Sequence, residues 1–294
     1  MMKAAFFSGC TVPVRNLNYE VSARHVAEKL GIELIEVEAF GCCGFPIKSL
    51  STEASLTVAA RNLALASSLG LPLVTLCSAC AGTLAEAAHT LDHDEEARER
   101  INAHLSEVGL RYEPGQKAFH FIRFLITEVG LETIASQVVR PLEGFKFSPH
   151  YGCHYIKPVE ATGQFDSPYH PQTLSQLIEV TGASAVDDGR VISCCGGGLL
   201  GLDEELANKL SLERLEAAAA GGADGLILIC PFCNVMLEGQ QKKIAKNFEV
   251  DLKMPVIFYP QLLGLAMGFS PAEMGFKLNR IKNKEFLKVF EEQG

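Results

Sequence analysis

Ten cysteines, arranged in one pattern that occurs twice, constrain this chain more than any other feature. They fall at Cys10, Cys42, Cys43, Cys77 and Cys80, and again at Cys153, Cys194, Cys195, Cys230 and Cys233. Each group reads C…CC-G…C-x-x-C. The gaps are 31 and 33 residues in the first group and 40 and 34 in the second. The flanks repeat too. Gly9-Cys10 pairs with Gly152-Cys153, and Cys42-Cys43-Gly44 with Cys194-Cys195-Gly196. Leu73-Val74-Thr75-Leu76 leads into one C-x-x-C, and Leu226-Ile227-Leu228-Ile229 into the other. A weaker third match sets Phe119-His120-Phe121-Ile122 against Ile257-Phe258-Tyr259-Pro260. Self-similarity at this scale sets the architecture before any local reading does. It implies two halves, residues 1–144 and 145–294, meeting near residues 142–146.

Within each half the local pattern alternates strand and helix. Residues 3–8 read as a buried strand, and residues 18–30 as a helix with Val21, Val26 and Leu30 on one side and Gly31 as its stop. Residues 32–40 alternate apolar and acidic side chains, as a strand does. Residues 52–69 form a helix with Thr52 expected as its N-cap, and residues 73–76 a β-rich run. Residues 81–108 read as helical. The second half repeats this with strands near 145–147 and 226–229 and helices over 171–181 and 203–220. The fold class is therefore α/β, with two pseudo-symmetric units, each on a small parallel sheet. Ligands of such sheets sit beyond the carboxyl ends of the strands. Every cysteine group lies just after an expected strand or before an expected helix, so the five thiols of a half can converge on one sheet edge.

Composition narrows the function classes. A net charge of −9 argues against a nucleic-acid backbone as partner. The opening residues lack the long apolar stretch of an export signal, and no run reaches the roughly 18 apolar residues needed to span a bilayer. The expectation is a soluble, cytoplasmic protein without direct membrane insertion. In a reducing cytosol ten cysteines are buried thiols, metal ligands or redox groups, not structural disulfides.

Thiolates are soft ligands that select zinc, cuprous copper or iron–sulfur clusters. A structural zinc ion takes four ligands, and each half offers five. Neighbours on an extended backbone point opposite ways, so one tetrahedral ion would hold Cys42-Cys43 or Cys194-Cys195 poorly. A larger core could be gripped at two separate irons. Glycines beside both pairs let backbone N–H groups approach cluster sulfurs, and Pro231 suits the first turn of a helix. His89 and His93 stand four apart on an expected helix, but Asp92, Asp94 and Glu95 make this a solvated face.

The quoted residues resemble the CCG domain, named for its Cys-Cys-Gly. A chain of two complete copies and little else resembles the B-type subunit of heterodisulfide reductase, over nearly its whole length. The resemblance implies that Cys10, Cys42, Cys43, Cys77 and Cys80 bind one noncubane [4Fe–4S] cluster, made of two fused smaller units. It implies that Cys153, Cys194, Cys195, Cys230 and Cys233 bind a second. In methanogens this family reduces the mixed disulfide of coenzymes M and B, with a flavin-containing A-type subunit and a small ferredoxin-like C-type subunit as partners. Paired CCG domains also occur in glycolate and lactate oxidation systems and in membrane-bound succinate dehydrogenases, several of which lack some of the cysteines. Retention of all ten favours the heterodisulfide reductase type.

Disulfide cleavage needs two electrons, which two clusters facing each other across the pseudo-twofold interface would deliver to a disulfide held between them. His154, beside Cys153, is the candidate proton donor. The alternatives are an electron relay whose chemistry lies on a partner, zinc in one of the two sites, or a zinc-stabilised scaffold.

Overall fold

The computed structural model describes residues 1–282 and 284–291. Its strands form two four-stranded parallel sheets. The first contains β1 (Met2–Phe7), β2 (Ile32–Glu36), β3 (Leu73–Thr75) and β4 (Ala118–His120), in the order β2-β1-β3-β4. The second contains β5 (Lys146–His150), β6 (Ser184–Ala185), β7 (Gly225–Leu228) and β8 (Val256–Phe258), in the order β6-β5-β7-β8. The register repeats with the order. Leu73 pairs with Ala5 and Ala118, and Leu226 with Ser148 and Val256. The inner strands β3 and β7 are buried throughout, which is why their side chains are apolar but for Thr75, and each leads into a cysteine loop.

The alternation expected from the sequence is present, with shifted boundaries. Strand β2 stops at Glu36, not residue 40. Strand β5 runs past the expected end to His150. Pro149 cannot donate to a ladder, but β6 pairs only as far as Phe147, so the missing N–H interrupts nothing. The helix expected over 81–108 is two, Ser78–His93 and Glu95–Ser106. Asp94 separates them because its extended backbone lets its carboxylate accept from the Ala97 N–H, a better role for Asp than a helix interior. Ser51, not Thr52, caps the Thr52–Ser68 helix, accepting from the Ala54 N–H.

The two halves are repeats in sequence but share one core. A continuous buried cluster joins Phe6, Tyr19 and Val74 to Phe147, Leu226 and Phe258. The Leu17–Lys29 helix of the first half packs on the Tyr259–Ala266 helix of the second, and Tyr19 stacks on Phe258 with ring centroids 4.0 Å apart. In turn the Ser78–His93 helix packs on the short helices Cys153–Ile156 and Val159–Thr162. Gly82 permits that approach, since a Cβ there would lie 2.9 Å from the His154 carbonyl oxygen. Among the described residues no helix is long and apolar enough to cross a membrane.

Candidate metal centre

Parallel strands put their carboxyl ends on one edge, and the cysteine loops leave from that edge. Cys10 follows β1, Cys42 and Cys43 follow β2, and Cys77 and Cys80 follow β3. Cys153 opens a helical turn after β5, Cys194 and Cys195 lie between β6 and the Glu204–Ala220 helix, and Cys230 and Cys233 follow β7. In both halves the first cysteine of C-x-x-C is the N-cap of a helix, with Pro231 at the first helical position of the second. All ten are free thiols. Burial repeats with the pattern: the first cysteine of each set and the first of each adjacent pair are exposed, while both C-x-x-C pairs are buried.

The side chains meet as the spacing implies. The Cys43 thiol lies against Cys80, and Cys80 against Cys77. Likewise Cys195 lies against Cys233, and Cys233 against Cys230. Cys10 stands in electrostatic reach of Cys42, and Cys153 in reach of Cys195 and Cys230. One contact crosses between the halves: Cys77 lies against Cys230. The two cysteine sets therefore touch at the pseudo-twofold interface through their C-x-x-C pairs.

Crowded thiols share protons unequally, because one sulfur accepts where its neighbour donates. Contact with Cys80 brings Cys43 down to about 7 against the effect of burial, while Cys80 is driven up. Cys195 is held well below the usual thiol range, first by Cys194, then by Cys233, with a further contribution from His150. A lowered pKa favours the thiolate, the form that ligates metal.

The Cys-Cys-Gly glycines have a steric cause. Gly44 has φ +95° and Gly196 φ +83°. A Cβ at Gly44 would meet the Ser55 backbone oxygen at 2.7 Å, and one at Gly196 the Ala207 oxygen at 2.2 Å. Their amides turn toward the preceding sulfurs: Gly44 N–H donates to Cys42 Sγ at 3.4 Å and Gly196 N–H to Cys194 Sγ at 3.3 Å. Each loop is also tied to the helix behind it. Asn62 donates to the Cys42 carbonyl at 2.8 Å, and Ser211 to that of Cys195 at 2.7 Å.

His154 sits where the halves meet, its Nδ1 3.2 Å from Cys153 Sγ and its ring edge-on to Phe45 of the first half at 4.8 Å. Burial holds its pKa below the usual value, so it is neutral at pH 7. His89 and His93 stay with their helix, His93 Nδ1 resting 2.8 Å from the His89 carbonyl oxygen. The cysteine pattern does not single out His150, which the structure brings to the site. A ring nitrogen of this fully buried histidine and the sulfurs of Cys195 and Cys233 all lie within 4.8 Å of one another. Its one signal in the sequence is positional: it stands three residues before Cys153, where the first half has Phe7 before Cys10.

Soft thiols, five to a half, unbridged and arranged around backbone N–H donors, fit a metal core with more than one coordination point. Residues 4–85 and 148–238 match the cysteine-rich domain family, CCG, which makes this a paired-CCG protein. The chain is 35% identical over 298 residues to the B-type subunit of the ferredoxin/F(420)H(2)-dependent CoB-CoM heterodisulfide reductase of Methanosarcina acetivorans, covering 99% of this chain and 98% of that one. It is 32% identical over 281 residues to the 8-methylmenaquinol:fumarate reductase membrane anchor subunit of Wolinella succinogenes, covering 94% and 96%. A crystal structure of a hypothetical protein from Helicobacter pylori shares the fold, with a TM-score of 0.77 at 20% identity. It matches 96% of this chain, which spans about half of the solved one, 52%. The chain belongs to the family of heterodisulfide reductase B-type subunits.

Proposed function

We propose that this chain is the iron–sulfur subunit of a cytoplasmic reductase complex and that it reduces a disulfide, of the coenzyme M–coenzyme B type or an analogue. Cys10, Cys42, Cys43, Cys77 and Cys80 would hold one noncubane [4Fe–4S] cluster. Cys153, Cys194, Cys195, Cys230 and Cys233 would hold the other. Bound there, the clusters would supply single electrons and Lewis-acidic iron. The observation that carries the reading is the Cys77–Cys230 contact, which sets the two thiol groups side by side across the interface of the halves.

The chain's own residues would do the rest. Gly44 and Gly196 would offset thiolate charge with their amides, and the shared core would hold the two sets in fixed relation. His154, in contact with Cys153 Sγ, would act as the imidazolium: it would take up a proton from solvent, deliver it to a departing thiolate and return to the neutral ring. Electrons would come from a flavin-containing A-type subunit and a ferredoxin-like C-type subunit.

Purification without oxygen tests this. The expected protein is coloured, contains iron and acid-labile sulfide in both halves, and has an electron paramagnetic resonance spectrum that a disulfide or thiol substrate changes. Zinc in place of iron, or a colourless iron-free protein, overturns it. Resemblance to a fumarate reductase subunit favours a second reading, in which the chain passes electrons to a partner that performs the chemistry. A cluster spectrum unmoved by any disulfide selects that reading.

A further inference from the structure

The two metal centres are built on one plan but differ at the end of their first strand. Phe7 pairs with Thr75, and His150 with Leu228, at equivalent registers of the two sheets. In the first half Phe7 packs on Phe40 at 5.3 Å. The second half places His150 there and surrounds it with buried polar groups. Ser148 stands where the first half has Ala5, and Arg214 where it has Asn62, equally far after the paired cysteines.

Arg214 and Asp188 form an ion pair at 2.6 Å with side chains 0% and 1% exposed. Arg214 Nη2 donates to Ser148 Oγ at 2.5 Å and to the Pro149 carbonyl at 3.0 Å. Its Nε donates to His150 Nδ1 at 3.3 Å. A guanidinium only donates, so Nδ1 must present its lone pair, and the imidazole hydrogen resides on Nε2. That Nε2 is buried and has no hydrogen-bond partner, yet the ring stands beside Cys195 and Cys233. A nitrogen carrying hydrogen is not a metal ligand. It is a donor toward sulfur.

We infer that His150, oriented by Arg214, donates a hydrogen bond from Nε2 to the Cys195 and Cys233 thiolates and makes the C-terminal centre easier to reduce than the N-terminal one. A donor to cluster sulfur favours the more negative, reduced state, and the N-terminal centre has only the Phe7 ring at this position. The inference rests on the proposed iron–sulfur reading. His150 is a positioning residue in this account: it touches ligands, not substrate.

The test is an anaerobic dithionite titration of the full chain, followed by electron paramagnetic resonance, with iron and sulfide assayed on the same samples. Wild type should show two separate midpoint potentials. His150→Phe, which copies the first half, should lower the higher potential so that its reduced-to-oxidised ratio at fixed poise falls about tenfold, about 59 mV for one electron. His150→Gln, which keeps an N–H at similar reach, should retain most of the wild-type value. Pulsed resonance on protein labelled with 15N-histidine should show a weak nitrogen coupling that the Phe variant loses. Equal shifts in the Phe and Gln variants, unchanged potentials, or the strong coupling of a direct nitrogen ligand would overturn the inference. Iron-free wild-type protein would instead defeat the cluster reading itself.

Discussion

His120, at the end of β4, holds its Nε2 2.8 Å from the carbonyl oxygen of Ile229 in the other half of the chain. Its Nδ1 accepts from the Ile122 N–H at 3.1 Å, so Nε2 is the nitrogen that donates. The Tyr19 and Ser78 hydroxyls reach the same carbonyl, at 3.2 and 3.4 Å. Three side chains of the first half thus clamp the residue immediately before Cys230. Burial holds the His120 pKa at about 4. The unfolded chain takes up a proton near pH 6.5 and the folded chain only near 4, so this contribution is complete above 6.5 and is lost as pH falls through that window. The loss approaches about 3 kcal/mol at the acid end. His120→Gln, which does not titrate, should show a shallower fall in melting temperature between neutral and acid pH than wild type.

Gly196→Ala should disrupt the C-terminal centre. The new Cβ would fall 2.2 Å from the Ala207 carbonyl oxygen, in a backbone conformation that disfavours side chains. Backbone strain and a displaced Cys194-Cys195 loop should cost about 2–4 kcal/mol. Iron per chain should drop toward that of a single site while the N-terminal signal persists, which metal analysis and resonance spectra would show.

Asp188→Ala should destabilise the fold more than most single changes. It leaves the Arg214 guanidinium buried without its carboxylate, and breaking a buried pair from one side costs about 3–5 kcal/mol. The double variant Asp188→Ala with Arg214→Met removes the stranded charge and should recover part of the loss. Thermal melts of the three proteins measure this.

Cys77→Ser should be felt in both halves. It removes a thiol from the first set and from the contact with Cys230 in the second. One resonance signal should disappear and the other shift. Cys10→Ser, exposed and far from that contact along the thiol chain, should affect only its own centre.

His154→Ala tests proton delivery. The ring contacts Cys153 Sγ and the edge of Phe45. Loss of a general acid lowers turnover by about 10²–10⁴-fold, with iron content unchanged. Unaltered turnover would remove His154 from the chemistry.

The repeat, the ten cysteines and the alternation of strand and helix were legible in the sequence because each is a local or periodic property. An apolar run ending at a cysteine codes for a buried strand and the loop beyond it without reference to anything distant. Boundaries moved where a neighbouring group decided them. Ser51 caps a helix that Thr52 would also suit, and Pro149 is tolerated in β5 because β6 stops short.

By itself the sequence determined that five thiols in each half would gather at the carboxyl edge of a parallel sheet. Only the tertiary structure decided that the halves share a core, that Cys77 meets Cys230, and that His150 stands beside Cys195 and Cys233 with Arg214 on its Nδ1. These are contacts between residues tens to hundreds of positions apart. Spacing along a chain carries no record of which surfaces packing will press together, and burial energy, which does the pressing, depends on area and shape rather than on order.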